Sequence, residues 1–248
     1  MDLKDKVAIV TGGAGGIGEG ICRVLALRGA KVVVNHLAFE LESAQRVVSD
    51  ITANGGHAIA VEANVTNEKE VEVLVEKTIQ EFSALHILIN CAGITIDGLA
   101  VKLKKEDFEK VLAVNLTGPF LTMKAALPHM ISQQYGRIIS ISSVAGLIGW
   151  RGSSAYAASK AGLIALSKSV AREVARKGIT VNVIVPGYIN AGLMKGVDKG
   201  YLEEQMKTVP MAKVGLPEDI GAGVAFLASD GAGYVTGEVL RIDGGMVM

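Results

Sequence analysis

Short runs rich in valine and isoleucine recur along the chain, each followed by a stretch long enough to hold a helix. They are Val7 to Val10, Lys31 to Asn35, Ala58 to Val61, Ile87 to Asn90, Arg137 to Ser142, Thr180 to Val185 and Val239 to Ile242. Their apolar character is continuous more than alternating, the pattern of strands covered on both faces. The intervals leave room for crossover helices. Together these features predict an α/β fold: a doubly wound, seven-stranded parallel sheet flanked by helices on both faces. No Pro/Ser-rich linker, charge block or repeat interrupts the 248 residues, so one domain over 1–248 is expected.

Composition excludes several classes. Lys+Arg and Asp+Glu balance at 25 each and are dispersed, which argues against nucleic acid as a partner. The two cysteines, Cys22 and Cys91, form no C-x-x-C and have no histidine pair nearby, so no metal site is expected and both read as reduced thiols. The first residues are too charged for a signal peptide, and no apolar run approaches the ~20 residues of a membrane span. A cytoplasmic location without membrane attachment is expected.

The first run leads directly into Thr11-Gly12-Gly13-Ala14-Gly15-Gly16-Ile17-Gly18, and Glu19 to Leu27 then reads as helix. A strand, a glycine turn and a helix N-terminus present free N–H groups and a favourable dipole to a pyrophosphate. Side chains there would block close approach. This context, more than the glycine pattern alone, marks a Rossmann-type dinucleotide site at Gly12, Gly15, Gly16, Ile17 and Gly18.

The form T-G-x-x-x-G-x-G at Thr11, Gly12, Gly16 and Gly18 resembles the classical short-chain dehydrogenase/reductase family. Asn90-Cys91-Ala92-Gly93 looks like that family's N-N-A-G element, with Cys91 in place of the second Asn. Tyr156 and Lys160 lie four apart in Ser154-Ala155-Tyr156-Ala157-Ala158-Ser159-Lys160, which puts both on one helix face. Such a pair alone is usually an exposed helix face; its conjunction with the glycine loop, Ser143 and Asn115 gives it weight. An ammonium beside a phenol favours the phenolate and is expected to draw the Tyr156 pKa toward neutrality, making it a proton shuttle. The resemblance implies that Ser143, thirteen residues before Tyr156, donates to the substrate oxygen, that Asn115 holds a water linking Lys160 to solvent, and that Lys160 holds the nicotinamide ribose. Ser142 competes for the serine role, but the spacing selects Ser143.

For the cofactor, the resemblance further implies contacts at Asn64 and Val65 on the adenine, at Asn90, Ala92 and Gly93, and at Pro186, Gly187 and Ile189 on the nicotinamide. Three positions depart from the family pattern. His36 stands where an acid often accepts the ribose hydroxyls, Asn64 replaces Asp, and Ala191 replaces a Thr. With Leu37 apolar and no cation fixed nearby, a ribose phosphate would be poorly satisfied, so NAD is favoured over NADP.

The resemblance spans the chain and is greatest to 3-oxoacyl-[acyl-carrier-protein] reductases and acetoacetyl-CoA reductases of fatty acid metabolism. It implies hydride transfer at the 3-position of a 3-oxoacyl or 3-hydroxyacyl thioester. Ile131-Ser132-Gln133-Gln134-Tyr135 lacks the cations expected for docking an acidic carrier protein, while Arg176 and Lys177 remain available, so an acyl-CoA is slightly favoured over acyl carrier protein. Substrate contacts are expected from Ser143, Trp150, Arg151, Ser153 and Tyr156. Trp150 suits either an acyl or aromatic group or a subunit contact; Arg151 suits a phosphate or carboxylate or plain solvent. The stretch at about 190–216 reads as a substrate-side lid. A homotetramer is expected from the resemblance, and the apolar end Gly245 to Met248 suits a subunit contact or its own fold. Two rival readings are a dehydrogenase of another small or aromatic secondary alcohol, and a non-catalytic subunit, which the departures at His36, Asn64 and Ala191 would fit.

Overall fold

The computed structural model describes residues 2–192 and 199–248. Seven strands form one parallel sheet: β1 (Val7–Val10), β2 (Lys31–His36), β3 (His57–Glu62), β4 (Ile87–Asn90), β5 (Gly136–Ile141), β6 (Ile179–Pro186) and β7 (Val239–Ile242). Their order is β3-β2-β1-β4-β5-β6-β7, so the winding direction reverses between β1 and β4. Each run predicted from sequence is a strand, with ends moved by no more than one residue. Ser142 in particular lies just beyond β5.

The period of two along each strand sorts its residues between two cores. Ala8 and Val10 of β1 join Val32, Val34, Ile87, Ile89 and Ile139 on one face, under α1 (Gly16–Leu27), α2 (Leu41–Ala53) and α9 (Pro217–Ala228). Ile9, Val33, Leu88, Ile138 and Val181 face the other way, under α3 (Glu68–Phe82), α5 (Gly118–Ser132) and α7 (Ser154–Val174). Both faces are therefore covered, which explains why the strands carry so little alternation in their sequence.

The remaining helices are α4 (Lys105–Leu112), α6 (Ala145–Ile148) and α8 (Lys199–Met206). Between α4 and α5 lies a π-helical turn, Ala113–Thr117, which contains Asn115. The expected lid includes α8, but its residues 193–198 lie outside the described residues. The chain's end is partly folded onto its own sheet: Met246 and Val247 pack on Val144, Val183 and Val185, and the Asp243 carboxylate accepts the Gly245 and Val247 N–H groups. Among the described residues no helix is long and apolar enough to cross a membrane.

Candidate active site

The reversal of winding leaves a crevice at the carboxyl ends of β1 and β4, where an open α/β sheet accepts ligands. The glycine turn after β1 forms one wall. Gly12 has φ of +62°, and a Cβ there would come within 2.9 Å of the Ala92 Cα. A Cβ on Gly18 would collide with the Gly12 carbonyl. Gly12 thus lets the turn close against the loop after β4, and Gly18 lets the start of α1 fold back on the turn. Gly15, extended at the N-cap of α1, caps the helix with no side chain, and a Cβ there would meet nothing within 4 Å. The uncapped N-terminus of α1 thus opens onto free space, which fits a pyrophosphate.

Two residues hold this wall in shape: Thr11, which the sequence marked only as part of the glycine motif, and Asn35, to which it gave no role. The Thr11 hydroxyl accepts the N–H groups of Cys91 and Ala92 at 3.0 and 3.1 Å, tying β1 to the segment after β4. The buried Asn35 amide donates to the carbonyls of Val61 and Ala63 and accepts the Gly12 N–H at 3.4 Å, while its backbone carbonyl takes the Gly13 N–H. Threonine and asparagine at strand ends are too common to be singled out by type.

A cavity of about 840 Å³ runs from this turn to the start of α7. It is lined by the predicted Gly12, Gly15, Gly16, Ile17, Gly18, His36, Asn64, Val65, Ala92, Gly93, Ser143, Trp150, Arg151, Ser153, Tyr156, Lys160, Pro186, Gly187 and Ile189. Two predicted residues are absent from the lining. Asn90 is buried behind the wall, its Oδ1 accepting the Thr122 hydroxyl at 2.6 Å, because β4 is still in the sheet at that position. Asn115 is also behind the wall and wholly buried. Its Oδ1 accepts the Ile94 N–H at 2.8 Å, and its Nδ2 donates to the Ile94 carbonyl and to the Ser159 Oγ. The side chain fastens the segment after β4 to α7, where the Ser159 hydroxyl donates to the Tyr156 carbonyl at 2.7 Å. The π turn is what aims Asn115 inward between two α-helices.

At the far end, Ser143 and Ser142 separate by role. The Ser142 hydroxyl donates to the Lys160 carbonyl at 2.9 Å, whereas the Ser143 Oγ accepts the Ala145 N–H at 3.2 Å and lines the cavity with Tyr156. Lys160 is buried, with Nζ donating to the Ile141 carbonyl at 2.8 Å and lying 5.7 Å from the centre of the Tyr156 ring. Burial pulls the lysine pKa down to about 8, opposed by the Cys91 thiol, itself pushed up to about 11 by burial. Burial likewise raises the Tyr156 pKa, and the Ser143 hydroxyl works against it. The net direction for Tyr156 is upward, against the expected pull toward neutrality: burial outweighs the neighbours that favour the phenolate.

The end of the cavity beyond β2 is built by His36, Asn64 and their neighbours. His36 is buried, with Nδ1 3.0 Å from the Leu37 carbonyl. The Asn64 Oδ1 accepts the N–H and hydroxyl of Thr66, so it is already engaged. Phe39 and Glu40, which the sequence did not mark, line the cavity, with the Glu40 carboxylate accepting the Leu37 N–H at 2.9 Å. Their place directly after β2 depends on a short 3₁₀ helix, Ala38–Glu40, that no periodicity announces.

Comparison with known proteins agrees with this geometry. A family model described as enoyl-(acyl carrier protein) reductase matches residues 12–247. A 3-oxoacyl-[acyl-carrier-protein] reductase of Synechocystis is 45% identical over 247 residues, covering 99% of this chain and 98% of the relative. Proteins of the same name from Vibrio cholerae and Escherichia coli are 42% and 41% identical over 248 residues, covering all of both chains. With its glycine turn, its Ser143, Tyr156 and Lys160 around one crevice and this full-length likeness, the chain belongs to the short-chain dehydrogenase/reductase family of nicotinamide-dependent oxidoreductases.

Proposed function

We propose that this protein interconverts 3-oxoacyl and 3-hydroxyacyl thioesters, with Tyr156 as the acid/base. The observation that carries the reading is that Ser143, Tyr156 and the buried Lys160 line one cavity that starts at the glycine turn. The nicotinamide, when bound, supplies or accepts the hydride at the 3-carbon. The N–H groups of Gly15 to Gly18 hold the pyrophosphate, and Lys160 holds the nicotinamide ribose. In reduction the Ser143 hydroxyl donates to the carbonyl oxygen and Tyr156 gives its proton to the alkoxide as it forms; oxidation reverses both roles. Asn115 acts one layer back as a positioning residue for α7.

NAD is the preferred cofactor in this reading. Among the described residues the side chains beside His36 are Leu37, Phe39 and Glu40, with no cation among them, so a ribose phosphate would meet a carboxylate without compensation. The full-length relatives are named for acyl carrier protein, and that carrier is the first to test. The uncharged segment 131–135 is the specific observation favouring CoA instead.

The test is direct. Purified protein is assayed with acetoacetyl-CoA and with a 3-oxoacyl carrier-protein thioester, each with NADH and NADPH. Turnover that is lost in Tyr156→Phe supports the reading; reduction of neither thioester by the wild type refutes it.

A further inference from the structure

The turn between α6 and α7 sits at the substrate end of the cavity and is built to hold two side chains in place. Gly149 and Gly152, with φ of +73° and +83°, bracket Trp150 and Arg151. The Gly98 N–H donates to the Gly152 carbonyl at 2.7 Å, and the Ser153 N–H to the Trp150 carbonyl at 3.1 Å. The Asp97 Oδ1 accepts the hydroxyls of Ser153 and Thr95, both at 2.8 Å. Asp97 therefore clips this turn to the segment after β4. The Trp150 indole meets the Tyr188 ring edge-on, with centres 6.2 Å apart.

Arg151 is exposed, lines the same cavity as Tyr156, and makes no hydrogen bond or ion pair with any described residue. The other cation of the lining, Lys160, is buried beside Tyr156 with Nζ donating to the Ile141 carbonyl. The lining at this end is apolar at Ile94, Val144, Trp150 and Met246; its one carboxylate, Asp97, accepts the hydroxyls of Ser153 and Thr95.

We propose that Trp150 and Arg151 form a selectivity shelf, in which Arg151 reads an anionic group on the thioester while the indole packs on the adjoining apolar or aromatic part. A guanidinium presented without a partner beside an apolar wall fits a ligand that is apolar with one anionic substituent. That anion is either a carboxylate on the acyl group or the phosphate of the pantetheine arm. The inference rests on the thioester reading above.

Three substrates separate the outcomes: a neutral 3-oxoacyl thioester of N-acetylcysteamine, its counterpart with a terminal carboxylate, and the neutral acyl group on CoA. Each is reduced by wild type and Arg151→Gln with saturating cofactor, and NADH affinity of both proteins is measured alongside. For the anionic substrates the variant is expected to raise KM about five-fold, with little change in kcat, and the loss should shrink at high salt. A loss confined to the CoA thioester assigns the phosphate; a loss on the carboxylated cysteamine thioester assigns the acyl carboxylate. An equal effect on all three substrates, or none, overturns the shelf while leaving the thioester reading intact. Reduction of none of the three by the wild type overturns both. Trp150 is the only tryptophan, so its emission reports contact independently of turnover. Emission that ignores every thioester overturns the role of the indole.

Discussion

Lys160 is a cation held out of water, and that has a measurable consequence for stability. It is 4% exposed, and burial lowers its pKa from 10.5 to about 8. Each pKa unit is worth ~1.4 kcal/mol, so keeping this lysine charged in the fold costs about 3 kcal/mol at neutral pH. Between pH 8 and 10.5 the unfolded chain binds the proton that the folded protein has released. Stability attributable to this group therefore rises with pH through that window, and is level below and above it. Lys160→Met removes the titration while keeping most of the apolar stem. Loss of the bond to the Ile141 carbonyl affects the variant equally at every pH, so only the lysine contributes to the pH-dependent difference. Denaturant unfolding of both proteins, free of nucleotide and at matched concentration, should show the wild type gaining about 2 kcal/mol on the variant between pH 7 and 9.5. Parallel pH profiles would refute the reasoning, since they would mean that Lys160 keeps its proton as readily folded as unfolded.

Other expectations concern the site directly. Tyr156→Phe should lower kcat by about 10²- to 10⁴-fold with cofactor affinity nearly kept, as measured by initial rates and by cofactor fluorescence. Because burial raises the Tyr156 pKa, kcat/KM for oxidation should climb from pH 7 to 9 as phenolate accumulates, while kcat/KM for reduction should not climb; a reduction rate that rises with pH would contradict the acid role. Gly18→Ala forces a Cβ into the Gly12 carbonyl, so weaker cofactor binding and a lower Tm are expected, read by titration and thermal unfolding. Glu40→Lys should improve kcat/KM with NADPH relative to NADH by on the order of ten-fold, and unchanged preference would remove Glu40 from cofactor selection.

The site divides according to how its residues are specified. Tyr156, Lys160 and Ser143 were legible because their spacing along one strand end and one helix face is itself the geometry. Asn115 was found, but not its second connection: the π turn lets its amide clip Ile94 to Ser159, and hydrogen bonds among residues distant in sequence leave no periodic trace. Asn90 opens the same motif as Ala92 and Gly93, but as the last residue of β4 it sits outside the cavity lining that those two reach. Glu40 and Asp97 were missed for the opposite reason, being ordinary acids in loops whose course is set by neighbouring segments.

By itself, the order of apolar runs determined a parallel, doubly wound sheet, since strands buried on both faces demand continuous apolar sequence and crossover helices demand length. The glycine turn determined which end of that sheet would take a nucleotide. Only the tertiary structure decided which polar groups face the cavity and which are consumed in holding it, and that a buried lysine gives up its proton more readily than a solvated one. These depend on distances between segments far apart in the chain, and on water excluded by their packing, neither of which any local pattern encodes.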